Sequence, residues 1–133
     1  MASVFTLIMQ KKIPGHFVWE DDKSVAILTI QPIREGHVLV IPREEIDQWS
    51  DLPVDLAMHL MSVSHKIANA MKTIFPARRI GLMIAGLEVP HTHIHLVPMD
   101  SMDDLSFAFA KNADQAELAS TAEKIRGAIK NLS

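Results

Sequence analysis

Short blocks of apolar residues, many of them β-branched, alternate with turn residues along the chain and predict strands. The first two blocks flank the acidic pair Asp21 and Asp22 and predict a hairpin. The third follows the turn signal Glu35-Gly36 and ends at Pro42, because proline cannot donate a hydrogen bond to a sheet. The short connections indicate a largely antiparallel sheet of five strands, formed by residues 17–19, 24–30, 37–41, 79–85 and 91–97.

Two further segments repeat their apolar residues at helical spacing. One lies between the third and fourth strands and predicts a long helix that ends near Ile74, with Asp51 as its cap, Pro53 at an early helical position and Pro76 helping to stop it. We expect its apolar face to cover the sheet. The other begins at about Asp114 and predicts a C-terminal helix with an apolar stripe made of Leu118, Ala122, Ile125, Ile129 and Leu132.

Length and composition predict a single folded domain over residues 1–133. Residues of hydrophobic type make up 48% of the chain and charged residues 22%, so one apolar core can offset the entropy of ordering the backbone. The formal net charge of -3 gives no broad basic field, which argues against a nucleic-acid polymer as partner. A small anion can still bind locally.

The chain contains no cysteine, which excludes disulfide frameworks, thiolate nucleophiles and cysteine-based zinc sites. A reducing compartment fits this composition best. The first ten residues do not resemble a signal peptide, and no later segment approaches the roughly 20 apolar residues that span a bilayer. We therefore expect a cytoplasmic protein without a membrane partner.

Three of the 7 histidines occupy alternate positions, namely His91, His93 and His95. On a strand, alternate side chains share one face at a spacing of about 6.6 Å, so the three imidazoles would stand in a row. Burying several histidines together without partners is unfavourable because their ring nitrogens remain unpaired. The row therefore indicates a functional arrangement more strongly than a lone histidine would.

Three interpretations of this row stay open at the level of residues alone. The histidines can be structural, or they can bind zinc, with His91, His93 and His37 as ligands. Against zinc, a regular strand would place His91 and His95 about 13 Å apart, too far to share one ion. The third interpretation is nucleophilic catalysis, because neighbouring imidazoles oppose each other's protonation and keep the central ring neutral for attack on phosphorus.

The segment from His91 to Val97 resembles the signature of the histidine triad family, in which three histidines alternate with apolar residues, although Thr92 departs mildly from that pattern. Residues 36–42, which read Gly-His-Val-Leu-Val-Ile-Pro, resemble a second block of the family. Ile13-Pro14 and the acidic residues 20–22 resemble its amino-terminal region. Together these motifs cover most of residues 4–99.

This resemblance implies an α+β fold in which two subunits join their five-stranded sheets, so we expect a homodimer. It also implies that a purine nucleotide is bound and cleaved through a covalent nucleotidyl-histidine, without a cofactor. His93 would be the nucleophile, with His91, His95 and His37 orienting it, supporting the leaving group or contacting phosphate. The residues implied for the purine and ribose pocket are Val4, Phe5, Ile8, Ile27 and Thr29.

The chain also departs from the family pattern at functional positions. Many bacterial relatives bind structural zinc at positions that here read Ser3, Thr6 and Glu45, so we predict no metal site. Thr29 replaces the acid that commonly contacts ribose and makes fewer charge-assisted hydrogen bonds. Glu88, in the connection before the triad, is a candidate substrate contact, although a loop glutamate is more often simply solvated.

Several functions remain compatible with this pattern. The leading hypothesis is a hydrolase or transferase acting on purine nucleoside phosphoramidates, acyl nucleotides or related conjugates. The alternatives are a dinucleoside polyphosphate hydrolase, a nucleotide-binding protein with vestigial catalysis, and a metal-dependent hydrolase. The sequence does not separate the first two, because both would use the same histidines.

Overall fold

A computed structural model describes residues 2–132, so Met1 and Ser133, the ends of the predicted domain, lie outside the described residues. Five antiparallel strands form one sheet in the order β1-β2-β3-β5-β4, which confirms the predicted α+β fold. The strands are β1 (Phe17–Glu20), β2 (Ser24–Leu28), β3 (Val38–Pro42), β4 (Arg79–Ile84) and β5 (Ile94–Met99). The helices are α1 (Val4–Met9), α2 (Val54–Ile74) and α3 (Gln115–Asn131).

The two faces of the sheet are covered by different helices. On one face, α2 and α3 pack over a large apolar core that includes Val38, Val40, Leu60 and Ile125. On the other face, the short helix α1 contributes Phe5 to a smaller cluster with Val25, Ile27, Leu39 and Ile41. Every residue of β2 and β3 is consequently buried, which explains why both strands have nearly continuous apolar sequences.

Within the described residues, no helix has the length and apolar character needed to cross a membrane. The cytoplasmic location expected from the sequence stays a prediction.

The long helix α2 begins later than a cap at Asp51 would require. Asp51 ends a short 3-10 turn, Trp49–Asp51, and Pro53 occupies the N-cap position of α2 without a side-chain cap. Leu52 is extended, with φ -62° and ψ 139°, because a residue that precedes proline is held out of the helical region. The prediction of Asp51 as the cap is therefore wrong, and Pro53 precedes the first helical residue.

The C-terminal helix α3 begins where the sequence indicates. The Asp114 carboxylate accepts a hydrogen bond from the backbone N–H of Glu117 at 3.4 Å, so Asp114 is the N-cap. Leu118, Ala122 and Ile125 are buried against α2 and the sheet. Leu132 lies beyond the last helical residue and is exposed, so the buried stripe is shorter than predicted.

The fifth strand also begins later than predicted, at Ile94 and not at His91. Thr92 explains the difference, because its backbone N–H and its hydroxyl both donate to the carbonyl of Ile46, each at 2.7 Å. These bonds direct residues 91–93 to the segment after β3 and away from regular sheet pairing. His91 and His93 therefore lie in a loop, and the regular spacing assumed for the histidine row applies only from Ile94 onward. The other strand boundaries differ by one or two residues.

Candidate active site

Four buried histidines gather on the face of the sheet that α1 covers. His95 lies on β5 opposite Leu39 of β3, and His37 precedes β3 by one residue. This pairing brings His37 beside His95, with ring centroids 5.2 Å apart. The His93 ring lies 4.9 Å from that of His95. The fold thus brings together all four histidines that the sequence singled out.

Hydrogen bonds define which nitrogen of each ring in the His37 and His95 pair carries the proton. The backbone N–H of Ile33 donates to His37 Nδ1 at 3.0 Å, so the proton of a neutral His37 is on Nε2. His37 Nε2 lies 2.9 Å from His95 Nδ1 and donates to it. His95 Nδ1 is then an acceptor, and its own proton is on Nε2.

His93 has the opposite arrangement. Its Nδ1 lies 2.7 Å from the carbonyl oxygen of His91, which can only accept, so Nδ1 carries the proton. The lone pair of His93 is therefore on Nε2. No hydrogen bond from residues 2–132 engages His93 Nε2 or His95 Nε2, and neither atom is sealed from solvent, because Ser64 Oγ is the one unpaired, fully buried side-chain polar atom in that range. A lone pair and an N–H donor thus stand side by side at an accessible surface.

Burial keeps these rings neutral near pH 7. It lowers the pKa of His37 to about 4, with the nearby His93 adding to the effect. Burial, together with the smaller effects of the nearby His37 and His93, lowers the pKa of His95 to about 3. Burial also lowers the pKa of His93, although its hydrogen bond to the His91 carbonyl and the charge of Glu88 oppose this. The His93 ring is therefore neutral at neutral pH.

His91 is held at both edges of its ring and is fully buried. Its Nε2 donates to the carbonyl oxygen of Pro42 at 2.7 Å, and its Nδ1 accepts from the hydroxyl of Ser3 at 2.6 Å. Neither nitrogen is left for a substrate. The resemblance allowed a direct contact between His91 and phosphate. This geometry does not support such a contact, because both ring nitrogens are already bonded.

The residues expected to bind purine and ribose differ in how closely they approach the histidines. Phe5 packs edge-on against the His93 ring, with centroids 4.9 Å apart, and it shares a cluster with Ile27 and Ile8. Val4, which like Phe5 lies on α1, is 40% exposed. Thr29 follows β2, where its backbone N–H donates to the carbonyl of His37 at 3.3 Å.

Glu88 is exposed on the loop between β4 and β5, and its charge acts on His93 by opposing the decrease in its pKa. The Glu88 carboxylate therefore interacts electrostatically with the His93 ring. Phe107, which the sequence analysis did not single out, packs edge-on against His95 with centroids 5.0 Å apart. No spacing rule would have found it, because a turn after β5 brings it back to the site.

The residues at the positions of the family's structural zinc site do not fit a metal ion. They are two hydroxyls, one carboxylate and His91, and the lone pair of His91 Nδ1 is taken by Ser3. Glu45 accepts from the Thr6 hydroxyl at 2.6 Å and from the backbone N–H of Ser3. Within the described part of the chain, no group of three or more His, Asp or Glu side chains is arranged to hold a metal.

Comparisons with known proteins agree with this geometry. A family model described as the HIT domain matches residues 4–102. An uncharacterized HIT-like protein of Borreliella burgdorferi is 35% identical over 111 residues, which cover 78% of this chain and 80% of that protein. The adenosine 5'-monophosphoramidase HNT1 of Saccharomyces cerevisiae is 35% identical over 98 residues, which cover 73% of this chain and 62% of that protein.

Among solved structures, a zinc-bound histidine triad family protein from Mycobacterium smegmatis has a TM-score of 0.84 to this chain. The two sequences are 28% identical, and the match covers 99% of this chain and 96% of that one. The fold is therefore shared almost from end to end.

Proposed function

Because the chain belongs to the HIT domain family of nucleotide-binding hydrolases and transferases, we propose that it cleaves purine nucleoside phosphoramidates, acyl nucleotides or related conjugates. One observation carries the proposal: the Nε2 lone pair of His93 is accessible and adjacent to the Nε2–H of His95. This pair supplies a nucleophile and a hydrogen-bond donor for one phosphoryl group. The similarity to a yeast phosphoramidase supports the substrate class.

In the first step, His93 Nε2 attacks the α-phosphorus, a nitrogen–phosphorus bond forms and the bond to the leaving group breaks. His95 Nε2–H donates a hydrogen bond to a phosphoryl oxygen or to the leaving group, where negative charge develops. Because His95 is neutral at pH 7, we assign the proton that the leaving group takes up to solvent water. The His91 carbonyl stabilises the positive charge that attack creates on the His93 ring.

In the second step, water attacks the phosphorus of the nucleotidyl-histidine, the nitrogen–phosphorus bond breaks, and the nucleoside monophosphate leaves with release of a proton. In a transferase reaction, another nucleophile takes the place of water. The base would lie against Phe5, Ile8 and Ile27, next to His93, with Val4 and Thr29 at the edges. Glu88 would lie near the leaving group and favour one that carries positive charge.

The proposal is tested by trapping the covalent intermediate. Purified protein is mixed rapidly with an adenosine 5'-phosphoramidate labelled at phosphorus, quenched without acid and mapped by peptide analysis. We expect one labelled peptide that contains His93. Label outside residues 91–95, or no label and no turnover on a panel of adenosine and guanosine conjugates, would contradict the proposal. Faster turnover of dinucleoside polyphosphates on that panel would favour the alternative hydrolase.

We also propose that the protein is a homodimer. Val54, Met58 and Met61 follow each other at helical spacing on α2 and are 75%, 67% and 50% exposed. The strand β4 lies at an edge of the sheet. Its Leu82 is on the face that α2 covers and is also exposed. An exposed apolar helix face beside an unpaired strand edge favours association with a second copy.

Light scattering measures the mass of this species directly. We expect twice the 14.8 kDa of one chain, and we expect Met58→Glu to produce the monomer. Met102→Glu, at another exposed methionine outside α2 and β4, is the matched control and should leave the dimer intact. A monomer at high concentration of the unaltered protein would contradict the proposal.

A further inference from the structure

A chain of hydrogen bonds joins the N-terminal helix to the first triad histidine. The Ser3 hydroxyl lies 2.6 Å from His91 Nδ1, the Thr6 hydroxyl donates to Glu45 at 2.6 Å, and Glu45 also accepts from the backbone N–H of Ser3. The groups come from α1, from the segment after β3 and from the loop before β5, and Ser3 and His91 are 88 residues apart in sequence. Such a contact arises only in the folded chain.

The shortest contacts assign the protons in this network, because Ser3 Oγ lies 2.6 Å from His91 Nδ1 and 3.4 Å from the Thr6 hydroxyl. The backbone N–H of Thr6 donates to Ser3 Oγ at 3.1 Å, which is the N-cap bond of α1. The Ser3 hydroxyl is then free to donate its single proton to His91 Nδ1, because the Pro42 carbonyl requires the His91 proton on Nε2. Ser3 therefore performs two tasks: it caps a helix and it fixes the tautomer of His91.

The same histidine aims the proposed nucleophile. The carbonyl oxygen of His91 accepts the Nδ1 proton of His93 at 2.7 Å, which leaves the lone pair on Nε2. The backbone N–H of His91 is bonded in turn to the carbonyl of Val89 at 2.8 Å. With its ring held at both edges, His91 presents its carbonyl in one direction. A misplacement of about 1 Å at a reacting group can lower the rate roughly 100-fold.

We propose that Ser3, Thr6 and Glu45 form a latch that positions the nucleophile: the latch holds the His91 ring, and the His91 carbonyl orients His93. The effect of the latch on catalysis rests on the proposed function, in which His93 is the nucleophile. It also explains why these positions do not suit a metal, because the Ser3 hydroxyl occupies the nitrogen that a metal would need. Ser3, Thr6 and Glu45 are positioning residues and do not touch the reacting atoms.

The latch is tested by separating the two tasks of Ser3. Ser3→Gly keeps an acceptable N-cap but removes the hydroxyl, whereas Ser3→Thr keeps both. We expect Ser3→Gly to lower kcat about 10-fold with KM unchanged and Ser3→Thr to restore kcat to within about 2-fold of the unaltered protein. As a matched control, Asp114→Gly makes the same exchange of a side-chain N-cap for glycine, at α3. The Asp114 carboxylate bonds to the backbone N–H of Glu117 and to none of the four central histidines, so this variant should change kcat less than 2-fold.

Nitrogen-15 NMR of the histidine rings reports which ring nitrogen carries the proton, and a change in stability alone would not alter this result. In the unaltered protein we expect the proton of His91 on Nε2 and that of His93 on Nδ1. In Ser3→Gly, the Nδ1 resonance of His91 should shift to the position of an unbonded nitrogen. An unchanged kcat in Ser3→Gly, or a proton on His91 Nδ1 in the unaltered protein, would overturn the latch. Absence of turnover in the unaltered protein would contradict the proposed function only, since the NMR result still decides the latch.

Discussion

The two ends of the histidine cluster differ in how much of each ring the protein occupies. At the His91 end, both ring nitrogens are bonded within the chain, to Ser3 and to the Pro42 carbonyl. At the other end, His95 receives a hydrogen bond from His37 on Nδ1 and leaves its Nε2 accessible. His93 lies between them, bonded at one nitrogen and open at the other.

This difference indicates that the three histidines of the triad are suited to different tasks. A ring with both nitrogens occupied can hold neighbouring groups but cannot act on a substrate. A ring whose partner fixes one tautomer and leaves the other nitrogen free is prepared to donate a hydrogen bond or to attack. We therefore propose that the first histidine of the triad positions the site and that the second and third perform the chemistry. Four predictions test this division, in order of decreasing effect.

The largest effect is expected at the centre of the cluster. His93→Asn removes the nucleophilic ring, while its amide can still donate to the His91 carbonyl, so the fold and nucleotide binding should survive. We expect kcat to fall by several orders of magnitude with little change in the nucleotide dissociation constant, since covalent catalysis requires the imidazole. Single-turnover kinetics and equilibrium binding measure the two quantities. A rate near that of the unaltered protein would remove His93 from the mechanism.

The two ends are compared directly by His95→Asn and His91→Asn. His95→Asn removes a donor to developing charge, and we expect kcat to fall about 100-fold. His91→Asn alters only the support of His93, because neither ring nitrogen reaches the substrate, and we expect about a 10-fold decrease. Steady-state kinetics on one phosphoramidate, with melting temperatures as a check on folding, measure both. If His91→Asn proves the more damaging, the division of tasks is wrong.

The His95 end should also make stability depend on pH. The pKa of His37 falls from 6.5 to about 4 on folding, so the unfolded chain binds more protons between these values. The contribution of neutral, buried His37 to the free energy of unfolding is fully present above pH 6.5. It decreases as the pH falls, by roughly 3 kcal/mol at pH 4 for His37 alone. Urea unfolding between pH 4 and pH 7 measures this decrease.

His37→Gln, which cannot titrate, should show a shallower decrease in the free energy of unfolding over the same range. The rate should fall in the same direction, as His93 becomes protonated below its lowered pKa. A free energy of unfolding that does not change between pH 7 and pH 4, after correction for aspartates and glutamates, would show that these histidines are not buried in neutral form.

The smallest effect is expected from metal removal at the His91 end. Because hydroxyls and a carboxylate bind each other there, chelation should change kcat by less than about 2-fold. Elemental analysis of the purified protein checks the same expectation independently. Stoichiometric zinc that is lost on chelation together with activity would instead favour a metal-dependent hydrolase.

Local patterns in the sequence predicted much of the fold. The apolar residues of β2 and β3 are buried on both faces and reveal their strands without any tertiary information. The stripe of α3 and its cap Asp114 are encoded within a few neighbouring residues. The start of α2 was mistaken because the effect of Pro53 on Leu52 competes with the capping tendency of Asp51. Helix α1 was missed because six residues carry too little periodicity to be recognised.

The sequence by itself determined the identity of the four central histidines, since their alternation and the second block at His37 are local features. Only the tertiary structure decided how each ring is hydrogen-bonded. Whether a ring nitrogen is free depends on Ser3, on the Pro42 carbonyl and on the Ile33 amide, and most of these partners are tens of residues away. Spacing along the chain fixes which residues are candidates, but hydrogen bonds between distant segments fix the tautomers, and tautomers determine the chemistry.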